Sequence, residues 1–144
     1  MKFTCRKLQL LSTLKRIMTK SKILIIEDER EVCNMLARIL TRHGYEATAA
    51  YDGLEGLDKV KSFNPSLVLL DVFIPRIDGL QVLKRLKASP ETSHIPVVMC
   101  TARALMSEVE EAIGMGASGY IVKPFLTEEV IDKLKEILEA PKVP

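Results

Sequence analysis

Several apolar runs in this chain end in ionisable or hydroxyl-bearing residues whose types suit chemistry on phosphate. These residues are Glu27 and Asp28, Asp71, Thr101 and Lys123. Clustered carboxylates raise one another's pKa unless a cation neutralises them, and Mg²⁺ is a hard ion that prefers such oxygen ligands. An ionised carboxylate can also attack phosphorus to form an aspartyl phosphate, while an ammonium and a hydroxyl stabilise charge on the transferring group. The residue types therefore predict that Asp71 is a nucleophile for phosphoryl groups and that the other residues serve it.

Each of these residues also has a simpler structural explanation when it is taken alone. Asp28 could cap a helix, Thr101 could begin a turn, and Lys123 could be a solvated surface charge. The prediction of a site depends on convergence, because complementary groups at the ends of four strands are a rare coincidence.

The segment around Asp71 indicates how the fold would position these groups. The run Leu67–Leu70 is too short for a helix and too apolar for a surface strand, so it predicts a strand that is covered on both faces. Pro75 and the pair Asp78-Gly79 then force a loop before the next helix. Ligands of open parallel sheets bind beyond the carboxyl ends of the strands, which is where Asp71 would lie.

The same alternation runs through the rest of the chain. Five predicted strands alternate with five predicted helices, and Asp52 with Glu55 and Ser107 with Glu110 mark two of the helix starts. Short loops and continuous apolar strands predict an α/β fold with a doubly wound parallel sheet and helices on both faces. The strands are expected at Ile23–Ile26, Glu46–Ala50, Leu67–Leu70, Val97–Cys100 and Gly119–Val122.

Charge is distributed unevenly along the chain. Residues 1–22 carry seven of the 21 basic residues and no acid, which leaves 14 basic against 19 acidic residues, or −5, in the remainder. The bulk charge is therefore no argument for nucleic-acid binding by the core. The three cysteines form no paired spacing, which fits a reducing, cytoplasmic setting, and no apolar run approaches the roughly 20 residues that span a bilayer.

The basic segment 1–21 is interpreted as an N-terminal extension outside the domain. Its apolar residues have helical spacing from Leu10 onward, so it could form a short amphipathic helix on a membrane surface or a partner. The alternatives are that it is disordered or that Met18 is the true start. We favour these alternatives, because short isolated helices are marginal in water.

Residues 22–140 resemble a response-regulator receiver domain of two-component signalling. The resemblance depends on Glu27-Asp28, Asp71, the segment Ile74–Gly79, Thr101-Ala102 and the segment Gly116–Phe125. It implies a five-stranded, three-layer, flavodoxin-like sheet with strand order 2-1-3-4-5. It also implies a cis Lys123–Pro124 bond.

The resemblance assigns a role to each site residue. Asp71 would be the phosphoacceptor, and Mg²⁺ would be held by Asp28, by Glu27 partly through water, by Asp71 and by the backbone carbonyl of Phe73. Thr101 and Lys123 would contact the phosphoryl oxygens. Thr101 and Tyr120 would form a switch, in which Thr101 moves toward the phosphoryl group and Tyr120 swings inward.

The resemblance also implies the partners. A sensor histidine kinase or a phosphotransfer protein would donate the phosphoryl group, and a downstream protein would bind the switched form. No output domain follows Pro141, so the expectation is either a single-domain receiver or a piece of a larger protein.

Two other functions stay open at this point. An aspartyl-phosphate phosphatase usually has a second Asp two residues after the nucleophile, but that position is Phe73, so no turnover of an external substrate is expected. The second alternative function is a receiver-like scaffold that binds partners without phosphorylation.

The resemblance also assigns a role to the residues two positions after Asp71 and Thr101. Phe73 and Arg103 would shade the phosphoryl group from water and slow its hydrolysis.

Overall fold

The computed structural model of the chain describes residues 4–18, 20–102 and 105–140. Within these ranges the elements are α1 (Cys5–Met18), β1 (Lys22–Ile26), α2 (Arg30–Arg42), β2 (Glu46–Ala50), α3 (Gly53–Phe63), β3 (Leu67–Leu70), α4 (Gly79–Ala88), β4 (Val97–Thr101), α5 (Met106–Gly114), β5 (Gly119–Val122) and α6 (Thr127–Leu138).

The five strands form one parallel sheet with the order β2-β1-β3-β4-β5. The predicted doubly wound fold and its strand order are therefore confirmed. The helix count is corrected from five to six, because α1 lies in the basic extension, where the sequence left a helix and disorder open. Among the described residues no helix is both long enough and apolar enough to cross a bilayer.

Alternate side chains of the strands enter two separate cores, one on each face of the sheet. On one face Leu24, Val68 and Met99 pack with side chains of α3, α4 and α5. On the other face Ile25, Leu69 and Val98 pack with side chains of α2 and α6. β3 is buried at all of its positions because both of its faces are covered, which explains its continuous apolar run.

Helix starts follow the sequence prediction at one place and differ from it at another. Asp52 caps α3 by accepting a hydrogen bond from Glu55 N–H at 2.8 Å, as predicted. The prediction of a cap at Ser107 is wrong, because α5 begins at Met106 and Leu105 occupies the capping position without a side-chain bond.

Candidate functional site

The sheet register brings the four functional strand ends to one edge, which we call the carboxyl edge. Ile26 of β1 lies opposite Leu70 of β3, so the residues that follow each strand are neighbours. The Asp71 N–H donates to the Ile26 carbonyl at 3.0 Å, and the Lys123 N–H donates to the Thr101 carbonyl at 2.8 Å. Residues that are distant in sequence therefore converge, as the fold prediction required.

Three carboxylates form an acidic cluster at this edge. Glu27, Asp28 and Asp71 each offer an oxygen within 4.8 Å of the others. Glu27 is 2% exposed and Asp71 is 7% exposed, whereas Asp28 is exposed to solvent. Burial raises the pKa of Glu27 to about 7, and the neighbouring Asp71 carboxylate adds to this rise.

Lys123 places its ammonium between two of these carboxylates. Its Nζ lies 3.1 Å from Asp71 Oδ2 and 2.5 Å from Glu27 Oε2. Burial opposes the charged form, but the hydrogen bond to Glu27 and the charge of Asp71 outweigh it and raise the pKa of Lys123. The ion pair with Glu27 was missed by the sequence analysis, because the two residues are 96 positions apart and no local pattern links them.

The Asp71 carboxylate is held from its other side by the loop that follows it. The Phe73 N–H donates a hydrogen bond to Asp71 Oδ1 at 3.1 Å, and the Gly79 N–H donates one to the Val72 carbonyl at 2.8 Å. A Cβ on Gly79 would overlap the Asp71 carbonyl, so only glycine allows this close approach. The sequence signalled Gly79 only as part of a turn, and its contact with Asp71 appears in the tertiary structure.

Thr101 is fully buried at the end of β4. Its Oγ1 has no hydrogen-bond partner among the described residues. Buried hydroxyls are normally bonded, so an unpartnered one at the edge of an acidic cluster fits a site that accepts another group.

Three further residues named in the sequence analysis are Tyr120, Phe73 and Arg103. Tyr120 is half-buried on β5 and packs against the core beneath α3, α4 and α5. Its pKa is raised by burial first and then by the charges of Glu108 and Asp71. The Phe73 side chain is 49% exposed, and Arg103 falls outside the described residues. The Lys123–Pro124 bond is cis.

The chemistry of the donor set fits a hard divalent cation. The cluster offers three carboxylates for one ammonium, so it carries excess negative charge in a partly buried place. Oxygen ligands, some buried and one open to solvent, are the kind that Mg²⁺ accepts while it keeps part of its water shell.

Comparison with known proteins agrees with this geometry. Residues 23–135 match the family model described as the response regulator receiver domain. Response regulator MprA of Mycobacterium avium (strain 104) is 36% identical over 121 residues, which cover 84% of this chain and 52% of that protein. The homologue of the same name from Mycobacterium tuberculosis (strain ATCC 25618 / H37Rv) gives the same figures. The chain thus spans about half the length of the curated relatives it matches.

Solved structures give the same result. The chemotaxis response regulator CheY4 of Vibrio cholerae has a TM-score of 0.79 at 28% identity, covering 83% of this chain and 100% of that one. A CheY-like response regulator receiver domain protein from Methanospirillum hungatei JF-1 has a TM-score of 0.79 at 27% identity, covering 84% and 95%. This chain belongs to the response regulator receiver domain family.

Proposed function

We propose that this protein accepts a phosphoryl group on Asp71 from a phosphohistidine, in a Mg²⁺-dependent reaction, and that phosphorylation changes its affinity for a partner. The observation that carries the proposal is the contact between the Lys123 ammonium and the Asp71 carboxylate at 3.1 Å, inside a cluster with two further carboxylates. Family membership supports the assignment of these residues.

The transfer step needs little from the protein beyond position and charge. An oxygen of the Asp71 carboxylate forms a bond to phosphorus, and the bond between phosphorus and the histidine nitrogen breaks. The electron pair of that bond returns to the imidazole, which then takes a proton from solvent. Asp71 needs no general base because its reacting form is the carboxylate itself.

Lys123 and Thr101 would stabilise charge on the transferred group. The Lys123 ammonium already lies next to Asp71 Oδ2 and can donate to a phosphoryl oxygen there. Among the residues that the structure describes, none bonds the buried Thr101 hydroxyl, and a phosphoryl oxygen could accept from it.

Glu27, Asp28, Asp71 and the carbonyl of Phe73 would hold Mg²⁺. When bound, the ion supplies positive charge that neutralises the cluster and the incoming phosphoryl oxygens. Burial and the neighbouring Asp71 carboxylate raise the pKa of Glu27 to about 7 although Lys123 opposes the rise, and a bound cation would favour the ionised form.

The switch would pass from Thr101 to Tyr120. Engagement of the Thr101 hydroxyl by a phosphoryl group would favour an inward position of the half-buried Tyr120, and the surface around it would change its partner affinity.

We propose a sensor histidine kinase or a phosphotransfer protein as donor, a downstream protein as target, and a cytoplasmic location. We propose no nucleic-acid binding by the core, and we expect membrane contact to require the basic extension.

A single experiment tests the proposal and its rivals. The protein is incubated with Mg²⁺ and a small phosphodonor, and its intact mass is measured. Wild type should gain one base-labile phosphoryl group, whereas Asp71→Asn should gain none and Asp132→Asn, an exposed control on α6, should behave as wild type.

Each contrary outcome favours a named alternative. If wild type gains no phosphoryl group, the protein acts as a scaffold that binds partners without phosphorylation. If the purified protein continuously hydrolyses small phosphoesters, it is a phosphatase, contrary to our proposal that it turns over no external substrate.

A further inference from the structure

The loop formed by residues 72–78 connects Asp71 to α4 and contains the Phe73 carbonyl that would hold the metal. The first residue of the loop, Val72, accepts a hydrogen bond at its carbonyl from the Gly79 N–H at 2.8 Å. Its tip, Pro75 to Ile77, includes Arg76 in the left-handed conformation at φ 77°. Such a conformation is uncommon for a residue with a side chain and persists when surrounding contacts fix it.

The tip contacts Gly53, the first residue of α3. This helix contains none of the three carboxylates of the acidic cluster. The Gly53 N–H donates to the Pro75 carbonyl at 3.2 Å, and the Ile77 N–H donates to the same oxygen at 3.1 Å. Three atoms surround the place where a Cβ of residue 53 would stand. It would overlap the carbonyl oxygen and Cγ1 of Ile77 and would lie 3.1 Å from Val82 Cγ2.

The need for glycine at position 53 therefore comes from a close approach between α3 and the loop. Two side chains hold the start of α3, because Asp52 accepts from the Glu55 N–H at 2.8 Å and Glu55 accepts from the Tyr51 N–H at 3.0 Å. Phe73 lies between Val72 and Pro75, whose carbonyls both accept backbone hydrogen bonds. Its own N–H donates to Asp71 Oδ1. A displacement of the tip would consequently reach both the proposed metal ligand and the phosphoacceptor.

We propose that Gly53 is a positioning residue for the metal site: by seating the tip of the 72–78 loop against α3, it fixes the Phe73 carbonyl in a place where Mg²⁺ can bind. This inference rests on the proposed function, because it assigns the metal to the same site. Gly53 itself touches neither the metal nor the phosphoryl group.

The test compares Gly53→Ala with Gly114→Ala, a control in which the added methyl group meets no atom within 4 Å. Hydrogen exchange without metal should show faster exchange of the amides at positions 53, 77 and 79 in the first variant and no change in the control. The dissociation constant for Mg²⁺, measured by calorimetry on folded protein, should rise at least about tenfold, the cost typical of residues that orient metal ligands. The phosphorylation rate at saturating Mg²⁺ should stay within about twofold, since Lys123 still orients Asp71.

Several results would overturn the inference. One is a folded Gly53→Ala protein with wild-type exchange in the loop or wild-type Mg²⁺ affinity. Another is an equal loss of Mg²⁺ affinity in Gly114→Ala, which would make the effect one of general stability. If wild type itself neither binds Mg²⁺ nor becomes phosphorylated, the proposed function fails, and with it the assignment of a metal to this loop, whatever the exchange data show.

Wild type alone provides a second test in case Gly53→Ala does not fold. If the tip is seated as described, the amides of Gly53 and Gly79 open as one unit, and their protection should agree within about tenfold. Exchange of the Gly53 amide far faster than that of Gly79 would contradict the inference without any variant.

Discussion

At the scale of single residues, the site is governed by an imbalance of charge. Lys123 provides one ammonium for the carboxylates of Glu27 and Asp71, and Asp28 adds a third negative charge within 4.8 Å. Burial disfavours the ionised form of Glu27 and raises its pKa, and the like charge of Asp71 adds to this effect. A bound cation would relieve this repulsion, which is what the proposed metal site requires.

The first prediction removes one charge from the cluster. Without divalent ions, Asp28→Asn should increase the free energy of unfolding by up to about 1 kcal/mol, because it relieves repulsion at the solvent side of the cluster. Wild type should gain stability as Mg²⁺ is added, and the variant should gain much less. Urea unfolding in EDTA and across a Mg²⁺ titration measures both effects, with Asp58→Asn on the exposed face of α3 as control. A variant that keeps the full Mg²⁺ response would remove Asp28 from the metal site.

The second prediction concerns the lifetime of the phosphorylated form. The half-exposed Phe73 side chain follows Asp71 by two residues and should shield the phosphoryl group from water. Phe73→Asn should therefore lose its phosphoryl group several-fold faster than wild type, as followed by intact mass after removal of the donor. Replacement of Met106, which is 72% exposed at the start of α5, by Asn serves as control. An unchanged decay rate in Phe73→Asn would reject the shielding role.

The third prediction concerns the thiols. Burial is the main cause that raises the pKa of Cys33 to about 11 and of Cys100 to about 12, whereas Cys5 is exposed. Because the thiolate is the reactive form, an alkylating reagent at pH 8 should modify Cys5 alone in folded protein and all three thiols in urea. Mass spectrometry of digested protein gives the positions. Modification of Cys33 or Cys100 at the rate of Cys5 would show that their surroundings open to solvent.

At the scale of elements, α3 lies outside the acidic cluster but contacts the loop that follows Asp71. Its first turn has two side-chain bonds to backbone N–H groups, since Asp52 accepts from the Glu55 N–H and Glu55 accepts from the Tyr51 N–H. Neither α2 nor α5 has a side-chain bond at its capping residue. The start of α3 is thus held by side chains at the place where the 72–78 loop contacts it.

The fourth prediction follows from the titration of this cap. The backbone hydrogen bond from Tyr51 is the main cause that lowers the pKa of Glu55 below its ordinary 4.5, and Lys59 adds to it. Since the folded pKa is the lower one, the contribution of Glu55 is complete above about pH 4.5 and is lost as the pH falls through the folded pKa. Glu55→Gln should cost at most about 1 kcal/mol at pH 7, because the side chain is a third exposed, and less at pH 3.

Urea unfolding at the two pH values measures this difference. The exposed Glu91→Gln serves as the matched control for a lost carboxylate outside any cap. If Glu55→Gln lowers the free energy of unfolding equally at pH 7 and pH 3, the ionised Glu55 carboxylate does not stabilise the start of α3.

At the scale of the whole molecule, stability comes from two cores on opposite faces of one sheet. The buried hydrophobic residues among those described begin at Ile23 and end at Leu134. The described leucines of α1, which are Leu8, Leu10 and Leu11, are about half exposed. Burial of apolar surface is the dominant favourable term in folding, so the extension should contribute little to it.

The fifth prediction tests this division of the chain. A chain that begins at Met18 should keep its midpoint of thermal unfolding within about 2 °C, which corresponds to well under 1 kcal/mol. Its Mg²⁺-induced stabilisation should also be unchanged. Calorimetry of the full and shortened chains provides the measurement. A large loss of stability would show that the basic extension is part of the folded domain.

The sequence by itself determined the strands, their order along the chain and the residues that follow them. These features are local: a buried parallel strand needs a continuous apolar run, and a helix start such as Asp52 needs its partner three residues later. Glu27, Asp71 and Lys123 were selected as candidates for the same reason, because each stands directly after such a run. Helical spacing is less informative, since it would place Met35, Leu54 and Ile113 on the buried faces of their helices, yet these residues are 44%, 42% and 48% exposed.

Only the tertiary structure decided how the residues at the carboxyl edge meet. Register between strands places the Lys123 ammonium against Glu27 as well as Asp71, and the turn of the 72–78 loop places Gly79 on the Asp71 carbonyl and Gly53 on the loop's tip. No local sequence pattern encodes these contacts, because they depend on close approaches between different segments, from eight positions apart for Asp71 and Gly79 to 96 for Glu27 and Lys123. The residue types thus fixed which chemistry is available, and packing between distant segments fixed the geometry in which it would occur.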